Sequence, residues 1–266
     1  MDLGTLGGAA EYSVASTIIY DDICGYGDNR TRDKIVPICW IGETALELPT
    51  LANEDGYVER INERGNAVGS SNATEGDLHC AYWPVEGGVI DCHPEGGGTF
   101  STALDINTHN LFVGTAGPVF NSRGFLGLPY GRILLPPLAG DTHSEAHSIN
   151  DLGDIVGRSC VRAQDPFSSV CTAIIYQNGV AVSLNDSLPP GLGWTLRNAI
   201  GINNDGVIVV LGQFNQTFRS AVLLPVDDPV TAWYKWRYRI LRYYQQQYAR
   251  WQKQIARYYA MQVAQH

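Results

Sequence analysis

The stretch Asp2-Leu3-Gly4-Thr5-Leu6-Gly7-Gly8 sets the reading of the chain. Its echoes are Glu47-Leu48-Pro49-Thr50-Leu51-Ala52, Asp91-Cys92-His93-Pro94-Glu95-Gly96-Gly97, Leu134-Leu135-Pro136-Pro137-Leu138-Ala139-Gly140 and Ser183-Leu184-Asn185-Asp186-Ser187-Leu188. The starts at 2, 47, 91, 134 and 183 give spacings of 45, 44, 43 and 49 residues. A sixth copy is due near 228, where the sequence reads Asp227-Asp228-Pro229 and changes character. The expectation is that the fifth unit lacks its last strand and that residues 2–8 supply it.

A second echo has the same period. Ile61-Asn62-Glu63-Arg64-Gly65-Asn66-Ala67-Val68-Gly69 recurs at 106–114, 149–157 and 202–209, and a degraded copy runs through residues 18–25. Asn at the second position suits a turn, because its side chain caps the backbone two residues on. Gly65, Asn110, Gly153 and Gly206 occupy the position that needs positive φ. Turn capping accounts for these asparagines without a binding role. A third element is an apolar strand at Ile38-Cys39-Trp40, Ala81-Tyr82-Trp83, Phe125-Leu126, Ala173–Tyr176 and Ala221–Leu224. Each unit therefore reads as four strands in about 44 residues, the content of one propeller blade. The fold expected for residues 1–228 is an all-β, five-bladed β-propeller closed by the N-terminal strand.

The pattern resembles the HAF-repeat family of extracellular proteins. Their Asp-Leu-Gly-Thr-Leu-Gly-Gly is matched letter for letter at 2–8, and their Ile-Asn-x-x-Gly-x-Val-Val-Gly closely at 149–157. The His-Ala-Phe strand is approximated at His79–Trp83. The resemblance implies a secreted repeat protein and brings no catalytic residues, because the shared positions belong to turns and core.

The 27 acidic residues all lie within 1–228, which holds 11 of the 18 basic ones, so that part carries −16 and residues 229–266 carry +7. Such a division marks a domain boundary or an assembling tail. Asp228 and Pro229 suit a helix start. Beyond them Trp233, Trp236, Ile240, Tyr244, Tyr248, Trp251, Ile255 and Tyr258 recur as on one helical face. The reading predicts a basic, aromatic-rich amphipathic α-helix over 229–266 that assembles the protein with copies of itself, as an oligomer or extracellular filament. The acidic body argues against nucleic acid as a main partner. No run of 18 apolar residues offers a transmembrane segment.

Six cysteines fall two to a unit: Cys24 with Cys39, Cys80 with Cys92, Cys160 with Cys171. Local disulfides follow, each worth about 3 kcal/mol, in an oxidising, secreted setting. Sequons at Asn29, Asn72, Asn185 and Asn215 offer glycosylation sites. No cofactor or metal is expected. The alternative function is a propeller face that binds or hydrolyses glycans, with Asp105, Glu145, Asp151 and Asp154 as carboxylates. His109, His143 and His147 sit near turns of the third and fourth units, at a spacing that matches no familiar metal site.

Overall fold

The computed structural model describes residues 3–6, 12–29, 33–42, 44–118, 121–128, 131–162 and 169–225. Contacts divide the chain after Leu224. The first unit is all-β.

Among the described residues nineteen strands form five separate antiparallel sheets. The first holds β1 (Ser13–Ile19), β2 (Asp22–Asn29), β3 (Lys34–Ile41) and β4 (Thr44–Glu47), in that order. The second holds β5 (Gly56–Ile61), β6 (Ala67–Asn72), β7 (Leu78–Trp83) and β8 (Ile90–Asp91). The third holds β9 (Ser101–Ile106), β10 (Phe112–Ala116), β11 (Arg123–Leu128) and β12 (Gly131–Leu135). The fourth holds β13 (His143–Ile149), β14 (Ile155–Arg162), β15 (Ser169–Gln177) and β16 (Val180–Ser183). The fifth has three strands, β17 (Trp194–Ile202), β18 (Ile208–Phe214) and β19 (Thr217–Leu223).

Each sheet packs on the next through its own apolar layer. Cys24 and Cys39 meet Val58, Ala81 and Trp83. Val68 and Tyr82 meet Ala103, Phe112 and Phe125. Val113 and Leu135 meet Ala146, Ile155 and Ile174. Val156 and Ala173 meet Leu196, Ala199 and Val210. Four modest cores in series thus replace one large one.

The repeat glycines serve these meanders. A Cβ on Gly157 would lie 2.0 Å from the Glu145 carbonyl oxygen, and Gly69 and Gly114 stand in the same relation to Tyr57 and Thr102. The partner strand carries an extra residue opposite each, between Ala146 and Ser148, between Val58 and Arg60, and between Ala103 and Asp105. A bulge there drives a carbonyl toward the second strand, and only glycine leaves room.

The closed propeller is not found. Among the described residues no sheet closes, and residues 3–6 form no strand beside β19. The echoes explain why: β4 ends at Glu47, β8 at Asp91, β12 at Leu135 and β16 at Ser183, where the copies begin. The motif is therefore the connection that leaves the fourth strand. Its prolines, Pro49, Pro94, Pro136 and Pro137, lack the N–H a ladder needs. At the N-terminus Gly4 has φ +69°, which interrupts extended backbone. Leu3 and Leu6 instead pack on Val36, Ile38 and Trp40 of the first sheet. Trp83 donates its indole N–H to the Pro49 carbonyl at 2.7 Å. The aligned Gly4 carbonyl accepts from Ser13 Oγ, and among the described residues buried Trp40 Nε1 has no partner.

The helix expected over 229–266, with its assembly residues, lies outside the described residues. Among the described residues helical turns are limited to the 3-10 turns Thr74–Gly76 and Leu184–Ser187. Among the described residues the fold class is therefore all-β.

Candidate functional site

The repeat asparagines build a ladder. Asn62, Asn107, Asn150 and Asn203 each use Oδ1 to accept two backbone N–H groups of their own turn. For Asn107 these are His109 N at 2.9 Å and Leu111 N at 3.0 Å. Nδ2 then reaches the next unit. Asn62 donates to the Asn107 carbonyl, Asn107 to that of Asn150, and Asn150 to that of Asn203, at 2.8, 3.0 and 3.1 Å. The spacing gives the turn cap but hides the link to the next sheet.

The four carboxylates considered as catalytic groups have structural partners. Asp105 accepts from Ser148 Oγ at 2.6 Å and from Ile149 N at 3.0 Å, with Arg60 3.5 Å away. Its burial pushes the carboxyl up despite these bonds. Glu145 takes both forks of Arg158, at 3.0 and 2.8 Å, and His147 Nε2 at 2.9 Å. Burial alone would raise its pKa, but His147 and Arg158 outweigh it and hold Glu145 at about 2. Asp151 accepts from Thr108 N, and Asp154 from Asn150 Nδ2.

The three histidines are placed apart in function. His109 is exposed. His143 is buried, which lowers its pKa, and lies 3.0 Å from Thr142 Oγ1. His147 bridges Glu145 to the Ala199 carbonyl on β17. Elsewhere His79 and His93 stack with centroids 4.2 Å apart, and Asp91 holds the His79 ring and the His93 N–H. Among the described residues no three His, Cys, Asp or Glu are grouped to hold a metal ion.

The disulfides join Cys24 to Cys39, Cys80 to Cys92 and Cys160 to Cys171. The first and third link directly paired residues of neighbouring strands. The second links β7 to the residue after β8.

The sequons differ in their surroundings. Asn185 is committed at both ends, donating to the Leu196 carbonyl and accepting from Leu196 N. Asn29 donates to Glu47, and Asn72 is partly buried at the end of β6. Asn215 is exposed in the β18–β19 turn.

A cavity of about 400 Å³ opens where the fourth and fifth sheets meet. Three arginines line it: Arg158 from β14, Arg197 from β17 and Arg219 from β19. Arg158 is neutralised by Glu145. Arg197 donates only to neutral groups, the Cys171 carbonyl at 3.3 Å and Gln213 Oε1 at 3.1 Å. Arg219 lies 5.6 Å from the Phe214 ring centre. Among the described residues neither Arg197 nor Arg219 meets a carboxylate. Leu211 and Phe218, 39% and 71% exposed, supply apolar wall. Sequence reasoning missed this site. Its one signal is Arg158, which follows the repeat Gly where Ser70 and Thr115 stand in the second and third units.

No family model matches the chain, and no curated protein shows significant similarity to it.

Proposed function

We propose that this chain is a secreted, non-enzymatic interaction protein that assembles with itself through residues 229–266, with the acidic β-body as its outer surface. The observation that carries this reading is the charge division, −16 over residues 1–228 and +7 over 229–266. The seven cations of the tail have no acidic residue within their own segment. Their compensation comes from acidic bodies, and bodies of other copies supply it as readily as their own.

Other observations support the same reading. Three disulfides are consistent with an extracellular protein. The resemblance to HAF repeats points to the same compartment. The fifth sheet leaves Val209, Leu211, Phe218, Val222 and Leu224 exposed. Contiguous apolar surface of that kind is typical of interaction sites. Asp105, Glu145, His147, Asp151 and Asp154 each hydrogen-bond backbone or a neighbouring side chain.

The test uses two full-length variants. One replaces Lys235, Arg237, Arg239, Arg242, Arg250, Lys253 and Arg257 with Gln; the other replaces Trp233, Trp236, Tyr244, Tyr248, Trp251 and Tyr258 with Ser. The first should assemble weakly and without salt dependence, and the second should remain monomeric. Parent-like assembly in both would refute the proposal.

A further inference from the structure

We propose that the outer edge of β19 takes an extended strand from a partner protein, a neutral or basic segment with the pattern aliphatic-x-Leu, which completes the fifth sheet as its fourth strand. The edge belongs to the β-body, so strand binding stands or falls apart from self-assembly through residues 229–266.

The open edge follows from the strand count. Four sheets have four strands and the fifth has three. β3, β7, β11 and β15 each pair with a following strand, whereas among the described residues β19 pairs with β18 alone. Alternate residues of such an edge turn their N–H and C=O groups away from the sheet. Natural edges are commonly blunted by lysine, proline or a bulge. β19 holds neither residue, Arg219 is its one charge, and its register against β18 runs without a shift. Val222 faces Val209 as Cys39, Tyr82, Leu126 and Ile175 face Cys24, Val68, Val113 and Val156, which aligns the five third strands. In that alignment Ile38, Ala81, Phe125 and Ile174, each opposite a fourth strand, are fully buried, but Ala221 is partly exposed.

The four occupied edges state the chemistry of the strand. Opposite Cys39, Tyr82, Leu126 and Ile175 stand Leu46, Ile90, Ile133 and Val182. Two residues on come Leu48, Cys92, Leu135 and Leu184, which enter the apolar layers between sheets. The pattern is an aliphatic residue, any residue, then leucine or cysteine. In the first two sheets its third residue also donates its N–H to the third strand, Leu48 to the Pro37 carbonyl at 2.8 Å and Cys92 to the Cys80 carbonyl at 2.9 Å. Ser220 occupies the acceptor's position in β19. Leucine suits this edge rather than cysteine, because Ser220 stands where Cys80 forms its disulfide. A strand here sets its aliphatic residue beside Val222 and its leucine beside Ser220, next to exposed Val209 and Leu211. Main-chain bonds then give affinity and the alternate side chains give specificity.

The chain's own four copies of the pattern are used in their own sheets, and Leu3 and Leu6 pack on the first sheet. The strand therefore comes from another protein. A body carrying −16 disfavours an acidic one.

The experiment uses the full-length protein and a fluorescent peptide with the sequence of residues 179–185 followed by two lysines, read by anisotropy and by hydrogen exchange. The peptide should bind with a Kd below about 1 mM and slow exchange in β19. Versions of the peptide carrying V182D or L184D should bind at least about tenfold more weakly. In the protein, V222K puts a charge on the edge and should weaken binding at least about tenfold. V85K, in the second unit, should leave binding unchanged. Val222 and Val85 are 56% and 58% exposed, so both variants should keep the parent melting temperature and separate loss of binding from loss of fold. No binding at about 2 mM peptide, or equal affinity for the V182D and L184D versions, overturns the proposal. So does unchanged affinity in V222K, or slowed exchange only outside β19. Outward amides of β19 already protected without peptide would also overturn it, because this chain or a second copy would then cover the edge.

Discussion

Replacing Asn107 tests whether the ladder couples neighbouring sheets or merely shapes turns. Its side chain is 4% exposed and makes three hydrogen bonds: two into its own turn and one to the Asn150 carbonyl. At about 1 kcal/mol net for each, with an added penalty for buried groups left unpaired, Asn107→Ala should cost about 3–5 kcal/mol. Asn107→Asp is the sharper probe. It retains the two caps but exchanges the donor for a carboxylate facing a carbonyl, at a cost of about 2–3 kcal/mol at neutral pH. Acid should reduce that deficit, because a protonated carboxyl can again donate. Asn203 is the control. It caps its own turn through Asp205 N and Val207 N, and no bond from its Nδ2 to a further unit is found among the described residues. Asn203→Ala should therefore cost only about 1–2 kcal/mol. Urea denaturation of the three variants and parent gives the comparison. Equal losses for N107A and N203A, or an Asp deficit unchanged on acidification, would refute the reasoning.

Other perturbations probe the packing. Gly157→Ala would force a Cβ to 2.0 Å from the Glu145 carbonyl oxygen, so the variant should lose more than about 3 kcal/mol in urea melts. An unaffected midpoint would mean that the bulge is absent. Glu145 has its pKa held near 2 against an ordinary 4.5. Its contribution, about 3 kcal/mol, is fully present above about pH 5 and lost as pH falls toward 2. Stability measured from pH 6 to 2 should fall less steeply in Glu145→Gln, and parallel curves would exclude the linkage. Trp83→Phe removes a hydrogen bond to Pro49, whereas Trp40→Phe removes an indole N–H that has no partner. The first should be more destabilising by about 2 kcal/mol, and equal thermal shifts would contradict the assignment of Trp40.

The period of about 44 residues made the succession of small antiparallel sheets legible, because turn chemistry leaves fixed marks. Asn62, Asn107, Asn150 and Asn203 sit where a cap is needed, and Gly65, Gly153 and Gly206 in the first, third and fourth of these turns confirm the phase. The same marks misled at the chain's start. The Asp-Leu-Gly-Thr-Leu-Gly-Gly motif read as the fifth unit's missing strand because its echoes recur once per unit. Those leucines are apolar contacts of a connection, and Leu3 and Leu6 pack on Val36, Ile38 and Trp40. A repeat shows that a segment recurs but not whether its backbone is hydrogen-bonded. Local disulfides were readable because paired strands bring Cys24 to Cys39 and Cys160 to Cys171 across one ladder. The arginine-lined cavity was not readable, since Arg158, Arg197 and Arg219 come from three strands of two sheets. The helix expected over 229–266 lies outside the described residues.

Self-assembly through residues 229–266 is tested most directly by the native mass of the full chain beside that of residues 1–228. Light scattering at micromolar concentration, in a series from low to high salt, supplies it. The account predicts a large particle for the full chain that shrinks with salt without reaching the monomer, and a monomer for residues 1–228 throughout. A monodisperse full-length monomer at low salt would contradict it.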